Sequence, residues 1–167
     1  MVKESNKELV LMVGIPGSGK STFAKTHNMT GYKVISRDEI RFSLVKPDEE
    51  YFSKETEVFS TFVTKTKEAL ENGENVIADA TFINEASRTK FLRALGGSLE
   101  KTKIIAVKMD TPLEVCLERN EKRTGRAKVP RGVIRRMELQ STTPDLEEGL
   151  DEIYIYKGKE VKVIVND

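Results

Sequence analysis

The chain has 167 residues, a length that fits one domain with a substantial hydrophobic core and is too short for a typical two-domain enzyme. A hydrophobic fraction of 38% and a charged fraction of 33% are typical of a soluble globular protein, and no apolar run is long enough to cross a membrane. The formal net charge of +1 argues neither for nor against a polyanionic partner.

The N-terminal segment and the single cysteine bear on the cellular compartment. Residues 1–7 lack the apolar stretch of a secretory signal peptide, so we expect no secretion. Cys116 has no second cysteine to pair with, which fits a reducing compartment, and its spacing with Leu113 and Leu117 favours core packing over a reactive thiol. We therefore predict a cytoplasmic protein without membrane contact, and the sequence leaves open whether it forms a homo-oligomer.

The first predicted element is a buried strand that leads into a glycine-rich loop. The apolar run over residues 9–13 is followed at residues 14–21 by Gly-Ile-Pro-Gly-Ser-Gly-Lys-Ser, a complete phosphate-binding loop (P-loop), and then by a helix-competent stretch. Because both flanking elements are correct, this interpretation is preferred to a chance glycine-rich turn. His27, the only histidine, is predicted to be a surface residue near the end of the P-loop helix.

The P-loop predicts how a nucleotide is held. Successive backbone N–H groups of such a loop point at a triphosphate, Lys20 reaches the β- and γ-phosphates, and the Ser21 hydroxyl completes the coordination of Mg²⁺. The residues of this region that we predict to bind the nucleotide are Gly14, Pro16, Gly17, Ser18, Gly19, Lys20, Ser21 and Thr22.

The second predicted strand is short and buried, over residues 32–36, and a helix is expected to follow it over residues 38–44. Asp38 and Arg41 are three residues apart, so they share one face of that helix. Asp38 can accept the proton of an attacking hydroxyl, and Arg41 can hold a phosphate of the acceptor through a bidentate contact. The alternative is a helix N-terminus with a favourably placed acid, and the P-loop upstream favours the catalytic interpretation.

Helices and strands alternate through the middle of the chain. The predicted order is a helix over residues 53–72, the longest, ending at Gly73, then a strand over residues 76–79, a helix over residues 84–95 and a strand over residues 103–109. Asp79 closes the third strand in the manner of a Walker B acid. Three roles stay open for it, namely holding a Mg²⁺-bound water, contacting the acceptor, or only capping the turn.

Two further helices with a flap between them are predicted next. Thr111 as N-cap and Pro112 as the first helical residue start a helix that runs to about residue 123. A mobile flap over residues 124–128 then leads to a helix over residues 130–140.

This region carries the basic residues that we interpret as a lid over about residues 119–131. Eight basic side chains between residues 119 and 136 are opposed by Glu121 alone. A lid that closes over the nucleotide brings Arg123 and Arg126 onto the β- and γ-phosphates. The alternative is that these residues only form a solvated, charged surface. A favourable position at a helix C-terminus would explain Lys122, but it does not explain the density of arginines beyond it.

The end of the chain predicts a hairpin, in which residues 152–156 and 160–165 flank Lys157-Gly158-Lys159 and the first strand completes the main sheet. The alternation of strands and helices predicts an α/β protein, with the three-layer fold of P-loop NTPases and kinases. We expect one domain over residues 1–167, with a mostly parallel sheet of about five strands and a C-terminal hairpin. The carboxyl ends of the strands then gather the P-loop, Asp38 and Asp79 at one edge.

Four motifs of the chain, taken together, resemble those of the 5′-hydroxyl polynucleotide kinases of phages and bacteria. They are Gly14-x4-Gly19-Lys20-Ser21, Ser36-Arg37-Asp38-x2-Arg41, Asp79-Ala80-Thr81 and Glu118-Arg119-Asn120-x2-Arg123. The resemblance covers roughly residues 9–138. It implies Mg²⁺-dependent transfer of the ATP γ-phosphate to the 5′-OH end of DNA or RNA, with Asp38 as general base.

Carried over by motif position, the resemblance also implies roles for single residues. Lys20 and Arg123 would contact the transferred phosphate, Ser21 the metal, and Arg41 the 3′-phosphate of the acceptor. Arg119, Arg123 and Arg126 complete the predicted nucleotide-binding set. The predicted acceptor-binding set is Asp38, Arg41, Asp79 and Thr81.

The sequence departs from that family in two respects. Many relatives carry a phosphatase with an Asp-x-Asp-Gly-Thr signature or a ligase, and because this chain has neither after its hairpin, we do not expect it to heal 3′-phosphates. Phe82 stands where several relatives have a polar residue that helps to form the acceptor site.

Two other functions remain as alternatives. One is a P-loop kinase of a small molecule, nucleoside or nucleotide, including relatives of the zeta-toxin type, which only acceptor specificity separates from the leading hypothesis. The other is a nucleotide-hydrolysing switch. It is disfavoured because the Asn-Lys-x-Asp motif of GTPases is absent and the chain is short for a ring-forming ATPase.

Overall fold

The computed structural model describes residues 4–26 and 30–166. The six strands are β1 (Lys7–Val13), β2 (Tyr32–Ser36), β3 (Asn75–Asp79), β4 (Thr102–Met109), β5 (Glu152–Lys157) and β6 (Glu160–Val165). The six α-helices are α1 (Lys20–Thr26), α2 (Arg37–Leu44), α3 (Glu55–Glu71), α4 (Glu85–Leu95), α5 (Leu113–Glu121) and α6 (Arg131–Gln140). Short 3₁₀ helices lie at Gly96–Leu99, Gly125–Ala127 and Leu146–Glu148.

The strands form one sheet in the order β2-β3-β1-β4-β5-β6, in which only β6 runs antiparallel to its neighbour. Met12 of β1 is level with Asp79 of β3, and Asp79 is level with Ser36 of β2. The carboxyl ends of these three strands therefore finish together. Since the P-loop follows β1 and α2 follows β2, the sheet brings the P-loop, the start of α2 and Asp79 to one edge.

Helices cover both faces of the sheet. Side chains of β1 alternate between two hydrophobic clusters, with Leu9 and Leu11 on the face packed by α3 and α4, and Val10 and Met12 on the face packed by α1. The predicted α/β three-layer fold is thus confirmed. The hairpin is confirmed as well, because β5 pairs parallel to β4 and β6 folds back on β5.

The prediction of a second buried strand is wrong. β2 has the predicted bounds but lies at the edge of the sheet, where only Ile35 is buried and Val34 is 49% exposed. A short apolar run does not reveal whether one or two strands will flank it, which is why the pattern alone misled. The helix expected to reach residue 123 ends at Glu121.

Three smaller points concern single residues and the membrane. Cys116 is buried in α5, as predicted. The prediction for His27 lies outside the described residues. Within residues 4–26 and 30–166, no helix combines the length and apolar character that a membrane span requires.

Candidate active site

The P-loop is held in shape by Thr111, just before α5, and by Arg119 in the last turn of α5. Thr111 Oγ1 donates to the Ser18 carbonyl at 2.7 Å, and Arg119 Nη1 donates to the Gly17 carbonyl at 3.1 Å. The predicted N-cap role of Thr111 is therefore wrong, since α5 is capped by Pro112 without a side-chain bond. The hydroxyl satisfies a P-loop carbonyl instead, a contact between residues 93 positions apart that no local pattern announces.

Gly17 of the P-loop lies directly against Cys116 of α5. Its φ is +84°, and a Cβ placed there would lie 2.6 Å from the Cys116 carbonyl oxygen. Both the backbone angle and the space therefore require glycine.

We expect Gly17→Ala to lower the free energy of unfolding and to weaken ATP binding about tenfold or more, because the new methyl group must displace the P-loop from α5. Gly73→Ala is the matched control, since Gly73 has a φ of +78° and no neighbouring atom lies within 4 Å of the position that a Cβ would take. It should cost about 1–2 kcal/mol of stability and leave ATP affinity unchanged. Thermal unfolding and ATP titration measure both effects. Equal ATP affinity in the two variants would contradict the prediction.

Lys20, Ser21 and Asp79 form the phosphate corner of the site. Lys20 Nζ donates to the carbonyls of Gly14 at 2.8 Å and Ile15 at 3.2 Å, while Ser21 Oγ donates to Asp79 Oδ2 at 3.4 Å. Burial lowers the pKa of Lys20, although the charge of Asp79 opposes this. Burial raises the pKa of Asp79, and the charge of Lys20 opposes that shift in turn. The two groups thus stabilise each other's charged forms at the end of β3.

The oxygens in this corner fit a magnesium ion. Mg²⁺ prefers oxygen ligands and is held in many enzymes by one or two side chains together with substrate phosphates and waters. Ser21 Oγ and Asp79 Oδ2 are adjacent and sit beside the P-loop, which suits that arrangement. No group of three or more His, Cys, Asp or Glu side chains that could hold a metal occurs in the part of the chain that the structure describes.

Asp38 and Arg41 meet in a second corner, at the start of α2. Ser36 Oγ caps this helix by accepting from the Glu39 N–H at 3.2 Å, which fixes Asp38 in the first turn. The Asp38 side chain is 69% exposed, and its Oδ1 accepts from Arg41 Nη1 at 2.7 Å. Arg41 itself is only 6% exposed. The Asp38 carboxylate therefore faces solvent, and the buried guanidinium of Arg41 holds it by a hydrogen bond.

Glu55, the first residue of α3, completes this corner and was missed in the sequence. Its two carboxylate oxygens accept from Arg41 Nε at 2.5 Å and Nη2 at 2.9 Å, and Oε2 also accepts from Arg37 Nη2 at 3.2 Å. Burial favours the neutral forms, but the bonds and charge of Glu55 raise the pKa of Arg41, and Arg41 lowers the pKa of Glu55. Each nitrogen of the Arg41 guanidinium thus donates within the protein.

Two neighbouring aromatic rings, also missed, surround the same guanidinium. Arg41 Cζ lies 5.0 Å from the ring centroid of Tyr51 and 5.3 Å from that of Phe52. The Tyr51 hydroxyl donates to Asp38 Oδ1 at 3.4 Å. The two adjacent aromatic residues just before α3 were the signal by which the sequence could have indicated this contact. No short-range pattern, however, links them to Asp38.

A groove of about 650 Å³ runs beside the P-loop, a size within the usual range for small-molecule sites. Arg119 and Arg123 line it, together with Gly17 and Gly19 of the P-loop, Thr22 of α1, and Tyr156 and Gly158 of the C-terminal hairpin. The structure thus brings two of the predicted nucleotide-binding arginines to one groove. It also adds the hairpin turn, which the sequence did not associate with the site.

Arg126 lies elsewhere. Its Nη1 donates to the Phe42 carbonyl at 3.4 Å, its Nη2 donates to the Val45 carbonyl, and its Cζ is 5.0 Å from the Phe42 ring centroid. The base of the predicted flap is closed by Asn120, which donates to the Val129 carbonyl at 2.6 Å and accepts from the Val129 N–H at 2.9 Å. The flap is therefore anchored at its base and tied by Arg126 to the end of α2.

Comparison with known families agrees with this geometry. A family model described as an AAA domain, AAA_33, matches residues 9–144, from β1 to beyond α6. The chain belongs to the AAA_33 family of P-loop kinase domains. The predicted resemblance to polynucleotide kinases is confirmed by relatives of this AAA_33 domain.

Three relatives illustrate the range of kinases that this AAA_33 domain resembles. A protein of Autographa californica nuclear polyhedrosis virus, named as a bifunctional polynucleotide kinase/RNA ligase, is 31% identical over 133 residues, covering 72% of this chain and 19% of the viral protein. The L-seryl-tRNA(Sec) kinase of Methanococcus maripaludis is 28% identical over 151 residues, covering 86% of this chain and 56% of that enzyme. The structure of the Pnkp1/Rnl/Hen1 RNA repair complex contains a chain with 28% identity and a TM-score of 0.63, matched over 80% of this chain and 43% of that one. The AAA_33 domain spans 17% to 56% of the length of the four curated relatives that it matches.

The segment after β3 contributes Phe82 to the hydrophobic core of this AAA_33 domain. Phe82 is buried against Phe62 and Phe91, with centroid separations of 6.1 and 5.1 Å, so it fills the core beneath the site. The Thr81 carbonyl accepts from the Gly14 N–H at 2.9 Å, which joins this segment to the P-loop. The buried Arg88 donates to the Phe82 carbonyl at 2.8 Å and supports the same turn.

Proposed function

We propose that the chain is an ATP-dependent polynucleotide kinase that transfers the γ-phosphate to the 5′-OH end of a DNA or RNA strand. The observation that carries the proposal is the exposed Asp38 carboxylate, supported on buried Arg41 at the same sheet edge as the P-loop. The similarity to a viral polynucleotide kinase/RNA ligase and to a chain of the Pnkp1/Rnl/Hen1 complex supports a nucleic acid end as the acceptor.

In the proposed reaction the acceptor O5′ bonds to the γ-phosphorus while the bond from that phosphorus to the β,γ-bridging oxygen breaks, and ADP leaves. Lys20 and Arg123 neutralise charge on the transferred group, and Ser21 and Asp79 would hold Mg²⁺. When bound, this ion neutralises phosphate charge and orients the phosphates. Asp38 orients the acceptor hydroxyl and accepts its proton. Because the transition state is loose, that proton leaves late, so the carboxylate need not be a strong base.

Arg41 has a supporting role in this proposal. The sequence expectation was a bidentate contact with an acceptor phosphate, yet the guanidinium already donates to Glu55 and Asp38. A phosphate contact would require Arg41 to leave one of these partners. We assign it to holding the Asp38 carboxylate in position, since a charge-assisted hydrogen bond from a guanidinium fixes the orientation of its acceptor.

The test is an acceptor panel with γ-labelled ATP. We expect label transfer to 5′-OH oligonucleotides of DNA, RNA or both, and little transfer to nucleosides, sugars or nucleoside monophosphates. Oligonucleotides that already carry a 5′-phosphate are the matched control and should accept no label. Efficient transfer to a small molecule without transfer to any oligonucleotide would contradict the proposal.

A second candidate is a kinase whose acceptor is a small hydroxyl group, either free or attached to a larger molecule. The similarity to the L-seryl-tRNA(Sec) kinase over 86% of this chain supports this second candidate. The same Asp38 and P-loop would serve such an acceptor, because both reactions need only a hydroxyl placed in line with the γ-phosphate. The panel separates the two candidates when serine and seryl-tRNA are included as acceptors.

A further inference from the structure

Phe52 is an exposed aromatic residue that lies beside the corner formed by Asp38 and Arg41. Its side chain leaves 41% of its surface accessible to solvent. The ring centroid is 5.3 Å from Arg41 Cζ, and Arg41 Nη1 in turn donates to Asp38 Oδ1 at 2.7 Å. The ring therefore offers an accessible aromatic surface close to the carboxylate that we propose as the base.

The surroundings of Phe52 hold the ring in place. Tyr51 packs edge-on against it, with centroids 4.8 Å apart and an interplanar angle of 84°, and the Tyr51 hydroxyl bonds Asp38. Arg41 cannot move away easily because Glu55 holds two of its nitrogens. The same contacts that orient Asp38 therefore orient Phe52, and the distance between the two side chains is set by one shared guanidinium.

We propose that Phe52 is the stacking platform for the nucleobase at the 5′ end of the acceptor strand. The inference rests on the proposed function and names the part of the acceptor that the protein recognises. Every base has a π face, so a single aromatic ring binds any terminal base with little sequence preference. The guanidinium lies over the ring and holds it in place, because a cation is attracted to an aromatic face within about 6 Å, and the base would stack on the part of the ring that stays exposed.

This arrangement separates a nucleic acid end from a small hydroxyl acceptor. The terminal base stacks on Phe52 while its own 5′-OH reaches Asp38, so binding energy from the base positions the reacting oxygen. An acceptor without a base gains nothing from the ring.

The experiment is a double-mutant cycle between protein and substrate. The wild type, Phe52→Ala and Phe52→Trp are assayed on two oligonucleotides that differ only in having a normal or an abasic 5′-terminal residue. On the normal oligonucleotide, Phe52→Ala should raise KM about tenfold or more, and Phe52→Trp should restore it. On the abasic oligonucleotide, wild type and Phe52→Ala should have equal KM values. The KM for ATP should be unchanged in both variants.

The control variant is Val163→Ala, which removes a side chain of similar exposure, 51%, on the edge strand β6. It should leave both acceptor KM values at the wild-type level. A wild-type enzyme that uses the normal and abasic oligonucleotides equally, or a Phe52→Ala variant that weakens both alike, overturns the stacking platform and leaves the kinase proposal standing. If the wild type labels no oligonucleotide at all, the kinase proposal fails and the platform fails with it.

Discussion

Replacing Asp38 with alanine is expected to lower phosphoryl transfer by about 10²- to 10⁴-fold while leaving ATP affinity within about twofold of the wild type. The carboxylate is 69% exposed and makes its described side-chain bonds to Arg41 and Tyr51, not to the P-loop. Its removal therefore takes away the group that orients the acceptor hydroxyl and leaves the nucleotide groove intact. Steady-state transfer to a 5′-OH oligonucleotide and direct ATP titration measure the two effects separately.

Glu39→Ala is the matched control for this change. Glu39 is the next residue in the first turn of α2, is also acidic and exposed, and lies at the same helix N-terminus. Both variants thus lose an acid that stabilises the helix macrodipole, whereas only Asp38→Ala loses the carboxylate that accepts the proton of the substrate hydroxyl. Preserved oligonucleotide phosphorylation in Asp38→Ala would refute its assignment as base, and equal loss in both variants would show that only helix stability matters.

Lys20→Ala is expected to damage both nucleotide binding and turnover, with transfer reduced by about 10²- to 10³-fold. Lys20 Nζ lies at the P-loop carbonyls of Gly14 and Ile15, from which it can reach phosphate oxygens. Its charge also opposes the burial that raises the pKa of Asp79. Without Lys20, the Asp79 pKa should rise further, which weakens the proposed Mg²⁺ site as well.

The measurements are ATP affinity, transfer rate and the Mg²⁺ concentration needed for half-maximal activity. ATP affinity should fall and the Mg²⁺ requirement should rise in Lys20→Ala. Lys25→Ala, in the last turn of the same helix and exposed, is the control and should change none of the three. A Lys20 variant with weakened turnover but wild-type ATP affinity and Mg²⁺ requirement would mean that this lysine acts only in the transition state.

The two corners of the site are connected through the backbone as well as through the sheet. The Gly14 N–H donates to the Thr81 carbonyl, so the P-loop is tied to the segment after β3. On the acceptor side, Arg126 joins the flap to the end of α2 at Phe42 and Val45. The segment that was predicted as a lid therefore contacts both the groove beside the P-loop, through Arg123, and the end of α2, through Arg126.

Several elements were predictable because their signals are local. The helix over residues 84–95 was predicted from its place between two strands, and the structure has α4 over Glu85–Leu95 with a capping box at Asn84. The hairpin around Gly158 followed from two alternating apolar runs that flank a turn tripeptide. The P-loop is contiguous in the chain, so its position between β1 and α1 needed no tertiary information.

The contacts that were missed all join residues that are distant in the sequence. Arg41 and Glu55 are 14 positions apart on different helices, and Arg126 and Phe42 are 84 apart. A charged residue can pair with any opposite charge that packing brings near it, so its partner cannot be read from spacing. The same reason applies to Thr111, whose hydroxyl could satisfy its own helix or a distant carbonyl.

The sequence by itself determined the α/β architecture, the phosphate-binding loop with Lys20 and Ser21, and an acid just after the second strand. These depend on periodicity and short motifs, which the backbone enforces within a few residues. Only the tertiary structure decided that β2 is an edge strand and that Arg41 is buried between Asp38 and Glu55, to both of which it donates hydrogen bonds. It also decided that Phe52 is exposed beside them. Burial and charge pairing depend on how whole elements pack against each other, so they exist only once the chain has folded.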